Sequence, residues 1–364
     1  MDIRKLKVAI LFGGKSAEHE VSIQSARNVY KAIDKDKYEI VLIGIDRRGR
    51  WFLNEDSRFL QGSENGGLIN SNVGGDAVSI LPGADGGQLR ISGDSKPVGK
   101  IDVVFPVLHG PFGEDGTVQG LLKTAGIPFV GAGVLGSAAA MDKDVAKRLL
   151  RDSGLPIVDF AVLYKNSTID YDSLAGELGK VLYVKPANLG SSVGISRAQN
   201  KEEFIRAVND AFEYDNKILV EADAGGREIE CSVLGNDEPI ASVAGEIVPR
   251  GEFYCYEAKY LNEDGAQLKI PAEISEQLQG KIRDYAVRAF KVLCCEGMAR
   301  VDFFVRGDDN VYINEINTIP GFTKISMYPK LWEASGIGYT ELIDRLIELG
   351  LERFAKEQHL KTER

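Results

Sequence analysis

The sequence predicts an α/β protein built from several α+β subdomains, and three observations carry that prediction. The chain opens as strand, glycine pair, helix, strand, from Lys7 to Ile45. The pattern changes near Ala138, where a new alternation of helices and strands begins. Near the C-terminal end, Arg300 to Gly321 reads as a β-hairpin with its polar residues gathered on one face. At 364 residues the chain is long enough for two or three domains with well-buried cores.

Charge and composition exclude several classes. With 44 Lys and Arg against 54 Asp and Glu, the formal charge of −10 argues against a general nucleic-acid binder. A nucleotide would have to be held by local cations. No apolar run reaches membrane-spanning length. The start, Met1 to Lys7, leads directly into an apolar strand, so no signal peptide is expected. Cys231, Cys255, Cys294 and Cys295 form no C-x-x-C pair, which points away from zinc and toward reduced thiols in a cytoplasmic protein.

In the first unit, the strand Lys7–Phe12 stops at Gly13-Gly14 and a helix of roughly Val21–Ile33 follows, then a strand Tyr38–Ile45. Such a turn places backbone N–H groups and a positive helix end in one crevice. Glu18 stands there, to pair with the helix end or to hold a ligand's ammonium. Residues 54–99 are rich in Gly, Ser and Asn and read as hairpin and loop. The strand Asp102–Val107 then ends at His109-Gly110 and runs through Gly113-Glu114-Asp115-Gly116 into a helix Thr117–Ala125. Loops at the C-terminal ends of strands are where open α/β sheets bind ligands, so His109 and Glu114 are candidates.

Two glycine motifs are weaker than they look. Gly13-Gly14-Lys15-Ser16 resembles the end of a Walker A loop, but its first glycine is missing. Gly131-Ala-Gly133-Val-Leu-Gly136 does match G-x-G-x-x-G, with Asp159 at a plausible distance for a ribose. Taken alone it suggests a nicotinamide-dependent oxidoreductase, although it does not open a βαβ repeat.

Beyond Ala138, Met141-Asp142-Lys143 opens a helix that ends at Ser153. Strands Ile157–Tyr164 and Val181–Pro186 follow, the second carrying Lys185 into Gly190-Ser191-Ser192-Val193-Gly194. Two glycines around two serines make a loop of N–H and hydroxyl donors suited to phosphate. After the helix Lys201–Phe212, the strands Ile218–Ala222 and Glu228–Leu234 carry Glu221 and Glu228, which could take ribose hydroxyls or be edge charges. Gly251–Gln267, aromatic and charged with no clean period, reads as a lid. An amphipathic helix Pro271–Leu293 precedes the hairpin, and a tail helix Gly338–Lys356 is expected to pack on the last domain.

In the hairpin, a turn centred on Asp308-Asp309 sets Asp302 opposite Glu315 and Arg300 opposite Asn317. Facing carboxylates repel, and a hard divalent cation removes that penalty. Carboxylate, carboxylate and amide oxygens suit Mg²⁺ held beside phosphates.

Taken in order, these residues resemble the D-alanine:D-alanine ligase family of the ATP-grasp superfamily over nearly the whole chain. The specific stretches are His109-Gly110 with Gly113–Thr117, Gly190–Gly194, Tyr256-Glu-Ala-Lys-Tyr260 and Asn314–Gly321. The resemblance implies an ATP-grasp fold with an N-terminal Rossmann-like α/β domain: 1–131 for substrate, 132–224 as the central ATP-grasp subdomain, and 225–364 as the C-terminal one. It implies ATP between the second and third, with two Mg²⁺ ions (Mn²⁺ as substitute) on Asp302, Glu315 and Asn317. Lys143, Lys185, Ser192 and Lys259 would bind ATP, with Glu221 and Glu228 on the nucleoside side. Glu18 would hold the first D-alanine's ammonium in a set with Ser191 and Tyr260. Arg300 and the Gly321 N–H would meet the tetrahedral intermediate. Ser326 and Met327 would seat the second substrate, with His109 and Glu114 shaping the pocket. The expected activity is ATP-dependent formation of D-alanyl-D-alanine for peptidoglycan, by a cytoplasmic homodimer, and Tyr260 rather than Phe favours an amine over D-lactate. Another ATP-grasp ligase, the oxidoreductase, or a non-catalytic ATP-binding module are the alternatives.

Overall fold

The structure is a computed structural model that describes residues 4–55, 75–83, 88–92, 96–249 and 266–361. It contains three sheets. The first is ordered β5-β4-β3-β2-β1-β6. Its parallel part is β1 (Leu6–Gly13), β2 (Tyr38–Ile45) and β6 (Val103–Val107). Val8–Leu11 and the whole of β6 are buried, as strands covered on both faces must be. Helix α1 (His19–Ala32) is the crossover from β1 to β2. β3 (Trp51–Asn54) and, within 54–99, β4 (Ala77–Ile80) and β5 (Leu89–Ile91) extend the sheet antiparallel beyond β2.

Helix α2 (Thr117–Thr124) follows, then α3 (Val134–Met141) after the glycine motif and α4 (Lys143–Asp152), which opens at Asp142-Lys143 as expected. Asp142 divides them. Its backbone is extended and its carboxylate accepts the Val145 N–H as an N-cap. The glycines of the G-x-G-x-x-G motif serve packing. A Cβ on Gly136 would lie 2.4 Å from the Cys294 carbonyl oxygen, and one on Gly297 would lie 3.1 Å from Gly131. The backbones approach each other there, which removes the reason for reading a dinucleotide loop.

The second sheet is ordered β7-β10-β8-β9: β7 (Phe160–Tyr164), β8 (Leu182–Pro186), β9 (Ser196–Ala198) and β10 (Lys217–Ala222). Helices α5 (Tyr171–Leu178) and α6 (Lys201–Tyr214) cover one face. Asn200 caps α6 by accepting the Glu203 N–H, so Phe204, Val208 and Ala211 fall inward at helical spacing.

The third sheet is ordered β13-β12-β11-β14-β15: β11 (Arg227–Gly235), β12 (Ile240–Pro249), β13 (Ala266–Lys269), β14 (Gly297–Arg306) and β15 (Asn310–Asn317). Ala266 and Gln267, expected at the end of the lid, are already strand. Helix α7 (Glu276–Val292) packs Leu278, Ile282, Ala286 and Phe290 on the core face, with α3 and α4 in the same cluster. Cys231, Cys294 and Cys295 are free thiols.

Helix α8 (Met327–Ala334) leads to α9 (Tyr339–Gln358). The tail does not pack on the last sheet alone. Leu342, Ile343, Leu346 and Ile347 share one cluster with β1, α1 and β6 as well as with Leu234 and Met298 of the third sheet. Arg353, buried, donates to the Phe129 carbonyl at 2.8 Å and to that of Gly131. The tail therefore ties the first sheet to the third.

Candidate active site

The four polar residues of the hairpin pair as expected, but not through the expected turn: Arg306 pairs with Asn310, which centres the turn on Asp308, and a one-residue register shift restores the pairing. Asp302 pairs with Glu315 and Arg300 with Asn317. Glu230 of β11 stands opposite Asp302 on the other side, so Glu230, Asp302 and Glu315 form a row across three strands. A β-bulge after Asp302 leaves Asn314 as an extra residue on β15. Val311 and Ile313 are buried before it and Ile316 after it, so the parity slips by one and Asn314 joins Glu315 in lining the cleft.

Like charges in a row repel, and cations lie among them. Arg300 donates to both Asp302 oxygens at 2.7 Å and lies 2.9 Å from Glu230. Asn317 Nδ2 donates to Asp302 at 3.0 Å. Lys143 Nζ, at the start of α4, sits 3.3 Å from Glu315 and donates to the Leu189 carbonyl at 2.6 Å. One lysine thus joins the hairpin to the glycine loop.

That loop follows β8. Ser191 and Ser192 both have left-handed φ, 54° and 59°, an unfavourable state for a residue with a Cβ. The Ser191 hydroxyl donates to Glu18. Asp215 anchors the loop's start by accepting from Asn188 N and Nδ2 at 2.8 and 3.0 Å.

Between the second and third sheets lies a cavity of about 280 Å³, lined by Lys185, Ser192, Glu228, Asn314 and Glu315 among others. Glu221 borders it, but its side chain is not open to a ribose. One oxygen lies 2.6 Å from Lys185 and the other 3.2 Å from Lys147. Burial alone would raise the Glu221 pKa; Lys147 and then Lys185 outweigh it and hold the carboxylate below its ordinary value. Glu221 thus sits in a buried ion triad with Lys147 and Lys185, and Lys185 also donates to Asn314 at 3.2 Å.

A smaller cavity of about 80 Å³ adjoins the hairpin where the first and third sheets meet, lined by Glu18, Ser191, Arg300, Gly321 and Ser326 among others. His109 and Glu114 border it, and both hold the chain. His109 Nδ1 lies 3.0 Å from the Ile319 carbonyl, while Glu114 accepts from Gly110 N at 2.7 Å and Ile319 N at 3.0 Å. Burial, then the charge of Glu18, pushes the Glu114 carboxyl up to about 8. Burial lowers the His109 pKa, so the ring is neutral. Ser326 is the N-cap residue of α8 and its hydroxyl accepts from Thr323 N at 2.9 Å. A Cβ on Gly321 would lie 2.6 Å from that hydroxyl. Met327 borders the cavity but is buried against Ile247 and Leu331. Tyr260, Lys259 and nearly all of the expected lid lie outside the described residues.

Local pattern missed Glu230, Asn314 and Lys147. Glu230 had a legible signal, since it shares the β11 strand with Glu228 at the same parity. Lys147 follows Lys143 by one helical turn.

Three sheets with their helices, a cleft lined by Lys185 and the carboxylates of the hairpin, and a small cavity beside it define a ligase of the ATP-grasp class. The comparisons with known proteins narrow this. Residues 7–132 match the D-ala D-ala ligase N-terminus model and 149–348 the D-ala D-ala ligase C-terminus model. A D-alanine–D-alanine ligase of Oceanobacillus iheyensis is 54% identical over 363 residues, 99% of each chain. The D-alanine-D-alanine ligase structure from Coxiella burnetii superimposes with a TM-score of 0.85 at 41% identity, covering 97% of each chain. The VanG D-Ala:D-Ser ligase of Enterococcus faecalis also gives 0.85, at 35% identity over 95% of this chain and 100% of that one. The chain belongs to the D-alanine–D-alanine ligase family.

Proposed function

We propose that this protein joins two D-alanines into D-alanyl-D-alanine, cleaving ATP to ADP and phosphate, in the supply of peptidoglycan precursors. The observation that carries the reading is the row Glu230–Asp302–Glu315 facing Lys143, with the small cavity of Glu18, Ser191, Arg300 and Gly321 beside it.

A carboxylate is a poor electrophile, so the first D-alanine's carboxylate attacks the γ-phosphorus and ADP leaves, giving an acyl phosphate. Lys143, Lys185 and the donors of the Ser191–Ser192 loop offset charge in that transfer. Glu18, oriented by the Ser191 hydroxyl, holds the first substrate's ammonium. The second D-alanine, its carboxylate at the N-terminus of α8, gives up its ammonium proton to solvent and attacks the acyl carbonyl with its amine; the C–O bond to phosphate breaks, and the departing phosphate takes up the nitrogen's further proton. Arg300 and the Gly321 N–H stabilise the oxyanion between these events.

Among the described residues no three His, Cys, Asp or Glu side chains form a closed metal cage. Two carboxylates and the Asn317 amide make an open oxygen set, the kind that takes Mg²⁺ together with phosphate oxygens, and Mn²⁺ is the expected substitute. Asp302, Glu315 and Asn317 would hold the two ions, which when bound neutralise phosphate charge.

We read 1–131, 132–224 and 225–364 as the three subdomains. No described helix is long and apolar enough to cross a membrane, and we place the protein in the cytoplasm. Exposed Leu121, Leu135 and Leu149 on the successive helices α2, α3 and α4 support a homodimer, which a solution mass measurement tests.

The deciding experiment is phosphate release from ATP and Mg²⁺, comparing D-alanine, L-alanine, D-serine and D-lactate as substrates. Release with D-alanine and a D-alanyl-D-alanine product is expected. Equal turnover with L-alanine, or none with D-alanine, overturns the reading.

A further inference from the structure

Five hydrogen bonds converge from other elements on the short segment Ile319–Phe322: to Ile319 from Glu114 and His109, and to Phe322 from Ser25, Asn28 and Tyr339. Pro320 has no N–H. The Gly321 N–H, between the two held peptide groups, donates to no described residue.

The protons of this clamp are determined by its partners. The Ile319 carbonyl only accepts, so His109 Nδ1 carries the hydrogen. With the ring neutral, Nε2 is an acceptor, and the donor 3.1 Å away is the Ser25 hydroxyl. The same hydroxyl oxygen accepts the Phe322 N–H at 3.2 Å. Ser25 is fully buried. Among the described residues it is the one side chain joining the His109 end of the clamp to the Phe322 end, on either side of Gly321.

We propose that Ser25 is a positioning residue for the second chemical step, aiming the Gly321 N–H at the oxyanion of the tetrahedral intermediate. The proposal rests on the oxyanion role given to Gly321 above. Ser25 stands on the face of α1 that begins with Glu18, continuing through Ser22 and Asn28 at spacings of four, three and three. One helix would then set both the first substrate's ammonium site and the oxyanion donor, keeping them in fixed relation. Ser22 provides the contrast. It accepts from Gly13 N at 2.8 Å and donates to the Val107 carbonyl, so it only fastens α1 to its own sheet.

Without the Ser25 hydroxyl, His109 Nε2 loses its donor and the Phe322 N–H its acceptor; the bonds to Glu114, His109 Nδ1, Asn28 and Tyr339 still hold the segment, but the link between its two ends is gone and the Gly321 N–H is aimed less closely. In rapid-quench single turnovers, Ser25→Ala should form ADP at the wild-type rate while dipeptide formation slows at least about tenfold, with the KM for ATP unchanged. Ser25→Cys, which keeps a weak donor and acceptor, should fall between. Ser22→Ala should leave the ratio of the two steps as in wild type. Equal slowing of both steps by Ser25→Ala in a normally melting protein, or slowing of neither, would overturn the proposal. Arg300→Ala in the same assay tests the oxyanion reading separately: if it spares dipeptide formation relative to ADP formation, that reading fails whatever Ser25 does.

Discussion

Lys147 Nζ lies 3.2 Å from Glu221 Oε1, and the two side chains expose only 1% and 3% of their surface. The other Glu221 oxygen holds Lys185, one of the cations expected at the ATP phosphates. Lys147 thus acts at the site through another residue. Burial depresses its pKa, and the adjacent Glu221 charge opposes that.

Lys147→Met should therefore lower thermal stability, by about 1–3 kcal/mol, because it leaves Glu221 half-paired in a dry place. It should also raise the KM for ATP, since Lys185 alone must then answer the carboxylate. The double variant Lys147→Met/Glu221→Gln should recover part of the stability. A single variant with unchanged melting and unchanged KM would show that the triad contributes nothing to either.

Glu315 faces Asp302 across the hairpin and Lys143 across the cleft. Glu315→Gln should cut turnover at least about a hundredfold with the melting temperature little changed, because the charge it removes is needed for phosphate transfer. Asp302→Asn should hurt less. Mn²⁺ titration followed by electron paramagnetic resonance gives an independent readout, and wild-type binding by Glu315→Gln would rule out the hairpin as the metal site.

Glu114 supplies a pH dependence. Its carboxyl is raised from 4.5 to about 8 in the folded protein, by burial first and by Glu18 second. Between those two values the folded state binds the proton and the unfolded state has lost it. The stability from this group is therefore full below about 4.5 and lost as pH rises through about 8. The melting temperature of wild type relative to Glu114→Gln should fall steadily from pH 5 to pH 8.5, titration limits set to bracket this window. A constant difference over that range would mean that Glu114 is ionised throughout.

Legibility followed the range of the physical signal. Arg300 with Asp302, and Glu315 with Asn317, were readable because alternation places each pair on one face of its own strand; a bulge then sets the two pairs opposite one another. The same rule failed at Asn314, one residue from Glu315. The bulge that turns Asn314 into the cleft follows from how β14 and β15 pair, which alternation alone does not state. Glu221 was recognised as a site residue, but its contact with Lys147 was not legible, because that lysine comes from a helix rather than from a neighbouring strand. The tail helix was legible from its apolar spacing, but the surface it covers was not.

By itself, then, the sequence determined the α/β class, the hairpin with its polar residues, the glycine loop and the family, since these rest on periodicity and on short contiguous motifs. Tertiary structure alone decided which side chains answer one another across long separations: Lys147 with Glu221, Glu230 with Arg300, and Ser25 and Asn28 of the first helix with Phe322. A hydrogen bond spanning 294 residues, as between Asn28 and Phe322, leaves no trace in local pattern. It exists only because separate apolar faces close on one another, and the polar groups brought along must find partners when water is excluded.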